Sequence, residues 1–421
     1  MIQIERYCEE NKQRIFSRNM PLDDVSGIVS GIIEDVKLNG DAALYKYCEK
    51  FDNTRLKNLE ITKEEWDNAL QNADKKLVEI MERAAENIRE FHKKQVRKGF
   101  EIKRKNGEIV GQRVTAVACA GIYVPGGTAA YPSTVLMDAI PAKVAGVKQI
   151  VMVSPVKDGK LNPDVLAAAK IAGVDRVFKL GGAQAIAALA LGTESVPKAD
   201  KIVGPGNAFV AEAKRQIFGI AGIDMVAGPS EILIIADSSA NPQKLSADLL
   251  SQAEHDKNAS AVLITDNMDI AKAAAQQLEE QLDRLPRAEI ARLSIENNGK
   301  IIVTDTLEQA IEISDVLAPE HLELCVENPF EWLEKVNNAG SVFLGNNTPE
   351  AIGDYFAGTN HTLPTSGTAR FSSALSVDDF TKKTQYIYYT ADAASKSAED
   401  IAYFARREGL EAHALSALER K

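Results

Sequence analysis

The chain has 421 residues, 45% of them hydrophobic and 26% charged, with a formal net charge of −11. That is the composition of a globular protein long enough for two or three domains, and its acidic balance argues against a nucleic-acid or anionic-membrane partner. No apolar run reaches the length of a membrane span and the opening MIQIERYCEENKQR is too polar for a signal peptide, so a cytoplasmic protein is expected.

Residues 21–98 read as helical. Val25, Ile28, Ile32 and Val36 mark one face, and Leu44, Cys48 and Phe51 another. Thr62-Lys-Glu-Glu65 is a capping box opening a third helix, and a long helix follows from about Lys75 to near Val96. His92 falls among lysines and arginines on it and is expected to be solvated. Asn106-Gly107 between two short mixed runs predicts a hairpin turn. From Gly121 strands and helices alternate. Apolar runs at 149–154, 175–180, 232–236, 261–265, 300–303 and 341–344 each precede a helical stretch, which predicts largely parallel α/β sheets. Residues from about 376 onward read as polar, Ala-rich helical text, too short for a core of its own.

Three Gly-rich turns fall where strands hand over to helices: Tyr123-Val-Pro-Gly-Gly127, Gly181-Gly-Ala-Gln184 and Gly204-Pro-Gly-Asn207. Such turns expose backbone N–H groups at helix N-termini, which suits phosphate or dinucleotide binding. None fits G-x-G-x-x-G, and singly each is an ordinary strand-to-helix connection. The four cysteines (Cys8, Cys48, Cys119, Cys325) are far apart and suit free thiols, with Cys119 and Cys325 read as buried small hydrophobes.

Candidate chemistry gathers around four of the five histidines. In Leu245–His255 an amphipathic helix carries Gln252 and His255 three residues apart, a spacing that stacks an amide oxygen and an imidazole on one face. Two ligands do not make a metal site, and a solvated last turn is the plainer reading. Ala318-Pro-Glu-His321 sets Glu320 beside His321 at a proline-broken loop entering a strand. Both can face one cleft only from an irregular segment, and His321 is the best general-base candidate. Gly353-Asp354-Tyr355 adds a carboxylate at a helix end. Asn360-His361-Thr362 through Gly367 reads as a structured binding loop.

Together these stretches resemble the histidinol dehydrogenases. Ile223-Asp-Met-Val-Ala-Gly-Pro-Ser-Glu-Ile-Leu-Ile-Ile-Ala-Asp237 resembles that family's signature. Leu249–His255, Ala318–His321, Gly353-Asp354 and Glu408-Gly-Leu-Glu-Ala-His413 follow in the family's order, and the three Gly-rich turns resemble its cofactor segments. The resemblance covers nearly the whole chain. One departure is Ala116-Val-Ala-Cys-Ala120, which lacks an expected Arg-Val-Gly run.

The resemblance implies a zinc ion held by Gln252, His255, Asp354 and His413, the last supplied by the partner subunit of a homodimer. Such a nitrogen and oxygen donor set also accepts manganese or cobalt. It implies Ser230, His361 and Glu408 in the substrate pocket and Tyr123, Gln184 and Asn207 against NAD. The implied reaction is the oxidation of L-histidinol through L-histidinal to L-histidine with two NAD, closing histidine biosynthesis. His321 serves as base for both oxidations and Glu320 activates water between them. The implied fold is α/β, with two larger domains built on incomplete Rossmann-like parallel sheets, a small N-terminal helical arm and a swapped C-terminal helical tail. The expected boundaries are 1–20 for the arm, 21–120 with 231–375 for a discontinuous first domain, 121–230 for the second, NAD-binding domain, and 376–421 for the tail. A metal-dependent hydrolase acting on a small amine, with Glu320 activating water beside a metal, is the rival enzyme reading, and a non-catalytic binding protein the rival outside enzymes.

Overall fold

The computed structural model describes residues 2–18, 24–126 and 131–421. Gly127 of the first Gly-rich turn and residues 19–23, where the expected arm meets the first helical region, lie outside the described residues, as does Met1. The chain opens with β1 (Ile4–Arg6) and α1 (Lys12–Phe16), followed by α2 (Ser26–Asp52), α3 (Lys63–Asn72) and α4 (Lys75–Lys93). The Thr62–Glu65 capping box is present with both of its hydrogen bonds. In α2 the buried stripe is Val29, Ile32, Val36, Leu44 and Cys48, while Ile28 and Phe51 face out. Gly40, at φ +51, breaks the helical geometry midway and turns one stripe relative to the other.

His92 corrects an expectation, because it is fully buried on α4 with Nδ1 2.7 Å from Gln95 Oε1. Met81, Ala85, Ile88 and His92 follow the period of one helix face, so the imidazole belongs to the buried stripe despite its charged neighbours. Burial lowers its pKa, which favours the neutral ring.

Next come β2 (Phe100–Lys103) and β3 (Ile109–Ala116), antiparallel around the Asn106-Gly107 turn as expected. A first alternating run follows: β4 (Cys119–Tyr123), α5 (Pro132–Ala145), β5 (Gln149–Ser154), α6 (Pro163–Ala172), β6 (Arg176–Lys179), α7 (Gly182–Leu191), β7 (Lys201–Val203), α8 (Ala208–Ile217) and β8 (Gly222–Ile223). Its strands form a parallel sheet in the order β6-β5-β4-β7-β8. Strands are added outward on one side of β4 and then on the other, leaving a topological switch point between β4 and β7.

The second alternating run is β9 (Glu231–Ala236), α9 (Pro242–Ala253), β10 (Ser260–Thr265), α10 (Met268–Leu282), α11 (Ala288–Asn298), β11 (Lys300–Val303), α12 (Leu307–Leu317), β12 (His321–Cys325), α13 (Pro329–Leu333), β13 (Ser341–Leu344) and α14 (Glu350–Tyr355). With β1 on its edge it builds a six-stranded parallel sheet, β1-β11-β10-β9-β12-β13. β9 and β12 are buried along their whole length, which explains the apolar run Ile232–Ala236 in β9, while β12 buries His321 and Glu323 among its apolar residues. Asn162, Asn207, Asn241, Asn267 and Thr306 cap the helices that follow strands, each accepting from a backbone N–H of the first turn.

α2 packs on α7 and α8, while α3 and α4 pack on α5 and α6. These helices therefore cover the five-stranded sheet, which differs from the expected grouping of 21–120 with 231–375. After short 3₁₀ turns at Thr368–Arg370 and Val377–Phe380 the chain forms β14 (Thr381–Tyr388), then α15 (Ala391–Arg407) and α16 (Glu411–Leu418). β14 corrects the expectation of helical text from 376. It pairs antiparallel with β3 over its full length, and Leu375 and Phe380 enter the core under the five-stranded sheet. Among the described residues no helix is long and apolar enough to cross a membrane.

Candidate active site

The site residues converge on the amino ends of β9 and β12, which lie side by side with His321 opposite Ile232. α12 ends at Ala318 in the left-handed conformation, φ +46, and Pro319 follows, so the chain enters β12 through an irregular segment. That break lets Glu320 and His321 share one cavity, with Glu320 Oε2 3.7 Å from His321 Nδ1 and both side chains buried. The Glu231 backbone N–H donates to Glu320 Oε2 at 2.8 Å, and the Glu231 carbonyl lies 3.0 Å from His321 Nδ1. An Nδ1–H given to that carbonyl fixes the tautomer and leaves the Nε2 lone pair free. Nε2 is buried without a hydrogen-bond partner among the described residues and lies 3.7 Å from Asp354 Oδ1, a charge contact too long for a hydrogen bond.

Gln252 lies in the last turn of α9 and is completely buried, so the solvated last turn does not hold for it. Its Nε2 is 3.3 Å from Glu350 Oε2 and 3.0 Å from His321 Nδ1. With Nδ1–H committed to the Glu231 carbonyl, Glu350 is the acceptor that orients this amide. Gln252 Oε1 is then turned the other way and has no partner. His255 lies just beyond the helix, its N–H on the Gln252 carbonyl, and its residue is exposed. Asp354 lies in the last turn of α14, and His321, His361 and His255 all act electrostatically on its carboxylate. His321, Glu350 and Asp354 offer ligand atoms within 4.8 Å of one another.

The electrostatics follow from this crowding. Burial pushes the Glu320 carboxyl up to about 8, against the pull of His321. Burial alone would lower His321, but Glu350, Glu320 and Asp354 outweigh it and hold the imidazole well above its ordinary value. For Asp354 the balance runs the other way, with burial outweighed by the surrounding histidines, chiefly His321. The group is rich in lone pairs, and Gln252 Oε1 is left without a partner among the described residues.

The other expected residues fall in three places. Ser230 immediately precedes β9, beside Glu231, and half-buried His361 lies on the loop that Asn360 and Thr362 tie to α5. Tyr123 and Gln184 are buried at the carboxyl ends of β4 and β6, where the Tyr123 hydroxyl accepts from the Gly182 N–H at 3.1 Å. Asn207 caps α8 across the switch point. The Gly204 turn ahead of it admits no side chain, because at φ +113 a Cβ would run into the Tyr123 carbonyl. Glu408 and His413 are exposed on the C-terminal helices, and His413 is not part of the ligand cluster found among the described residues. Sequence reasoning missed Glu350 and Glu231. Glu350 stands four residues before Asp354 on one helix face, and Glu231 ends the Gly-Pro-Ser-Glu segment, so both carried a signal.

The family profile described as histidinol dehydrogenase matches residues 17–421. The chain belongs to the histidinol dehydrogenase family. Histidinol dehydrogenase of Clostridium acetobutylicum is 50% identical over 413 residues, 98% of this chain and 95% of that protein. The Bacillus subtilis histidinol dehydrogenase is 53% identical over 389 residues, 92% and 91% of the two chains. Among solved structures, the crystal structure of histidinol dehydrogenase from Elizabethkingia anophelis superimposes with a TM-score of 0.95 at 39% identity, covering 100% of this chain and 98% of that one. This histidinol dehydrogenase family member is accordingly an oxidoreductase, and the Ala116–Ala120 stretch falls where β3 hands over to β4.

Proposed function

We propose that the chain oxidises L-histidinol to L-histidine through L-histidinal, using NAD and one zinc ion per subunit. The observation that carries the reading is the buried His321 Nε2, which has no hydrogen-bond partner among the described residues and lies 3.7 Å from Asp354 Oδ1. His321 Nε2 would take the alcohol proton, and a bound nicotinamide would supply the acceptor for the hydride on the carbinol carbon. Glu320 then accepts a proton from the water that adds to the aldehyde, and its raised pKa suits a base near neutrality. The hydrate is again an alcohol bearing a hydride on the same carbon, so His321 acts a second time in the same geometry. The Glu231 carbonyl steadies the imidazole through both steps by holding its Nδ1–H.

Gln252, His255 and Asp354, with the partner subunit's His413, would hold the zinc. Its chemistry is to bind the substrate's nitrogens and keep the aldehyde from escaping. The fit rests on the orphaned Gln252 oxygen and on the surplus of negative charge around it. A cation at this place also offsets the field that raises His321, leaving the imidazole readier to act as a base. Tyr123, Gln184 and Asn207 border the switch point where a dinucleotide would lie, with Ser230, His361 and Glu408 toward the substrate.

The dimer is supported by the surface of the tail. Ile401, Tyr403, Phe404, Leu410 and Leu415 of the C-terminal helices and Ile387 and Tyr388 of β14 are all exposed, an apolar surface that suits a second copy. Mixing inactive His413→Ala and His321→Ala proteins under subunit exchange should restore activity through the one complete site of each hybrid. No recovery would place His413 in its own chain's site. The reaction itself is tested by incubating the protein with histidinol and NAD and following nicotinamide reduction. Turnover should vanish on chelation and return with zinc. Hydrolysis of an amine substrate with no nicotinamide reduction would favour the hydrolase reading instead.

A further inference from the structure

Among the described residues the catalytic pair forms no ion pair with the N-terminal arm, yet one ion pair links the two through Glu231. Arg18, near the end of the described arm, sets its Nε 3.1 Å from Glu231 Oε1 and its Nη2 3.2 Å from Oε2, and Nη2 also donates to the Leu317 carbonyl at the end of α12. Glu231 is buried, and the backbone N–H groups of Ser366 and Glu320 also act on its carboxylate. Its own backbone serves the pair directly, with the N–H on the Glu320 carboxylate and the carbonyl facing His321 Nδ1. One residue thus faces two ways, its side chain to the arm and its main chain to both catalytic side chains. A two-point contact between guanidinium and carboxylate fixes orientation as well as distance.

We propose that Arg18 and Glu231 are positioning residues, a buried clamp by which the N-terminal arm sets the geometry of Glu320 and His321. The inference rests on the proposed roles of that pair. The clamp acts at both strand entrances at once, since Arg18 holds the Leu317 carbonyl just before the break that leads to Glu320 and the carboxylate at the first residue of β9. A cavity of about 180 Å³ lies beside it, lined in part by Arg18, Glu231, Lys300 and Pro319. Removing the guanidinium widens this cavity toward the Glu231 main chain, and water there competes with Nδ1–H for the carbonyl. Arg14, in the same arm, pairs instead with Glu5 and so separates the clamp from general docking of the arm.

The test compares Arg18→Ala, Arg18→Lys, Glu231→Gln and Arg14→Ala as metal-loaded proteins, with kcat, both KM values, metal content and thermal midpoint measured for each. Misplacing a reacting group by about 1 Å costs up to about 100-fold, so Arg18→Ala and Glu231→Gln should lose about 10- to 100-fold in kcat. Their KM values and metal content should stay near the parent's. Arg18→Lys should recover part of the loss, and Arg14→Ala should keep the parent's kcat. Should Arg18→Ala fail to fold, the isosteric Glu231→Gln carries the test. Unchanged kcat in a folded Glu231→Gln overturns the proposal. So does an Arg14→Ala loss equal to that of Arg18→Ala, or a loss that follows metal content. His321→Ala run alongside separates the two readings. If it stays active, the proposed role of His321 fails; if it is dead while the clamp variants are active, only the clamp fails.

Discussion

Apart from the edge strand β1, the five-stranded and six-stranded sheets both start from a central strand, add neighbours on one side and then cross to the other. The candidate site residues nevertheless lie at opposite ends of the two sheets. In the five-stranded sheet Tyr123 and the Gly182 and Gly204 turns occupy the carboxyl ends, where helices α7 and α8 begin. In the six-stranded sheet Glu231 and His321 open their strands, and the helices that return there are ending, with Gln252 in the last turn of α9 and Asp354 in that of α14. Helix N-termini favour anions and helix C-termini favour cations. The same strand order therefore offers a phosphate-friendly edge in one half and a metal-friendly edge in the other, according to which end is used.

The largest effect should come from the amino-end site. His321→Ala should lower oxidation of both histidinol and added histidinal by about 10²–10⁴-fold in steady-state rates. Glu320→Gln should slow histidinal oxidation far more than a single-turnover first hydride transfer from histidinol. Equal slowing of the two half-reactions would reduce Glu320 to a partner of His321. Either result would sharpen the division of labour within that edge.

A smaller effect should appear where the halves meet. Asp138 of α5 is fully buried, accepts from the Thr362 hydroxyl at 2.7 Å, and has its pKa pushed up to about 8 by burial. Its folded value lies above the unfolded one of about 4, so the folded chain keeps a proton that the unfolded chain has released between these values. The stability this gives is complete below about pH 4 and is lost as pH rises through about 8. Asp138→Asn removes the titration, so its melting temperature relative to the parent's should rise between pH 5 and pH 8. A constant difference across that range would mean that Asp138 is ionised in the folded protein.

Much of this was legible in the sequence where pattern and chemistry coincide. The apolar runs marked the interior strands because parallel strands buried on both faces leave unbroken apolar text. Glu320 and His321 stood out because a proline break beside an acid and an imidazole is unusual. β14 was hidden because it is exposed along most of its length, so Thr381-Lys-Lys-Thr-Gln385 carries no alternation to read. His92 was misread from its charged neighbours when its spacing from Ile88 was the better guide. Glu350 looked like an ordinary first-turn acid, favourable at any helix N-terminus, and only the folded chain brings it to Gln252. Arg18 and Glu231 lie 213 positions apart, a pairing that no local pattern encodes.

The contrast between the two edges is tested most directly by measuring both affinities in two variants, metal by competition against a chelator and dinucleotide by equilibrium titration. Asp354→Ala should lose at least about tenfold in metal affinity while binding NADH as the parent does. Tyr123→Phe, which leaves the Gly182 N–H without its acceptor, should weaken NADH binding and leave metal affinity at the parent's value. Loss of both affinities in either variant would contradict the account, because the two edges would then form one indivisible site.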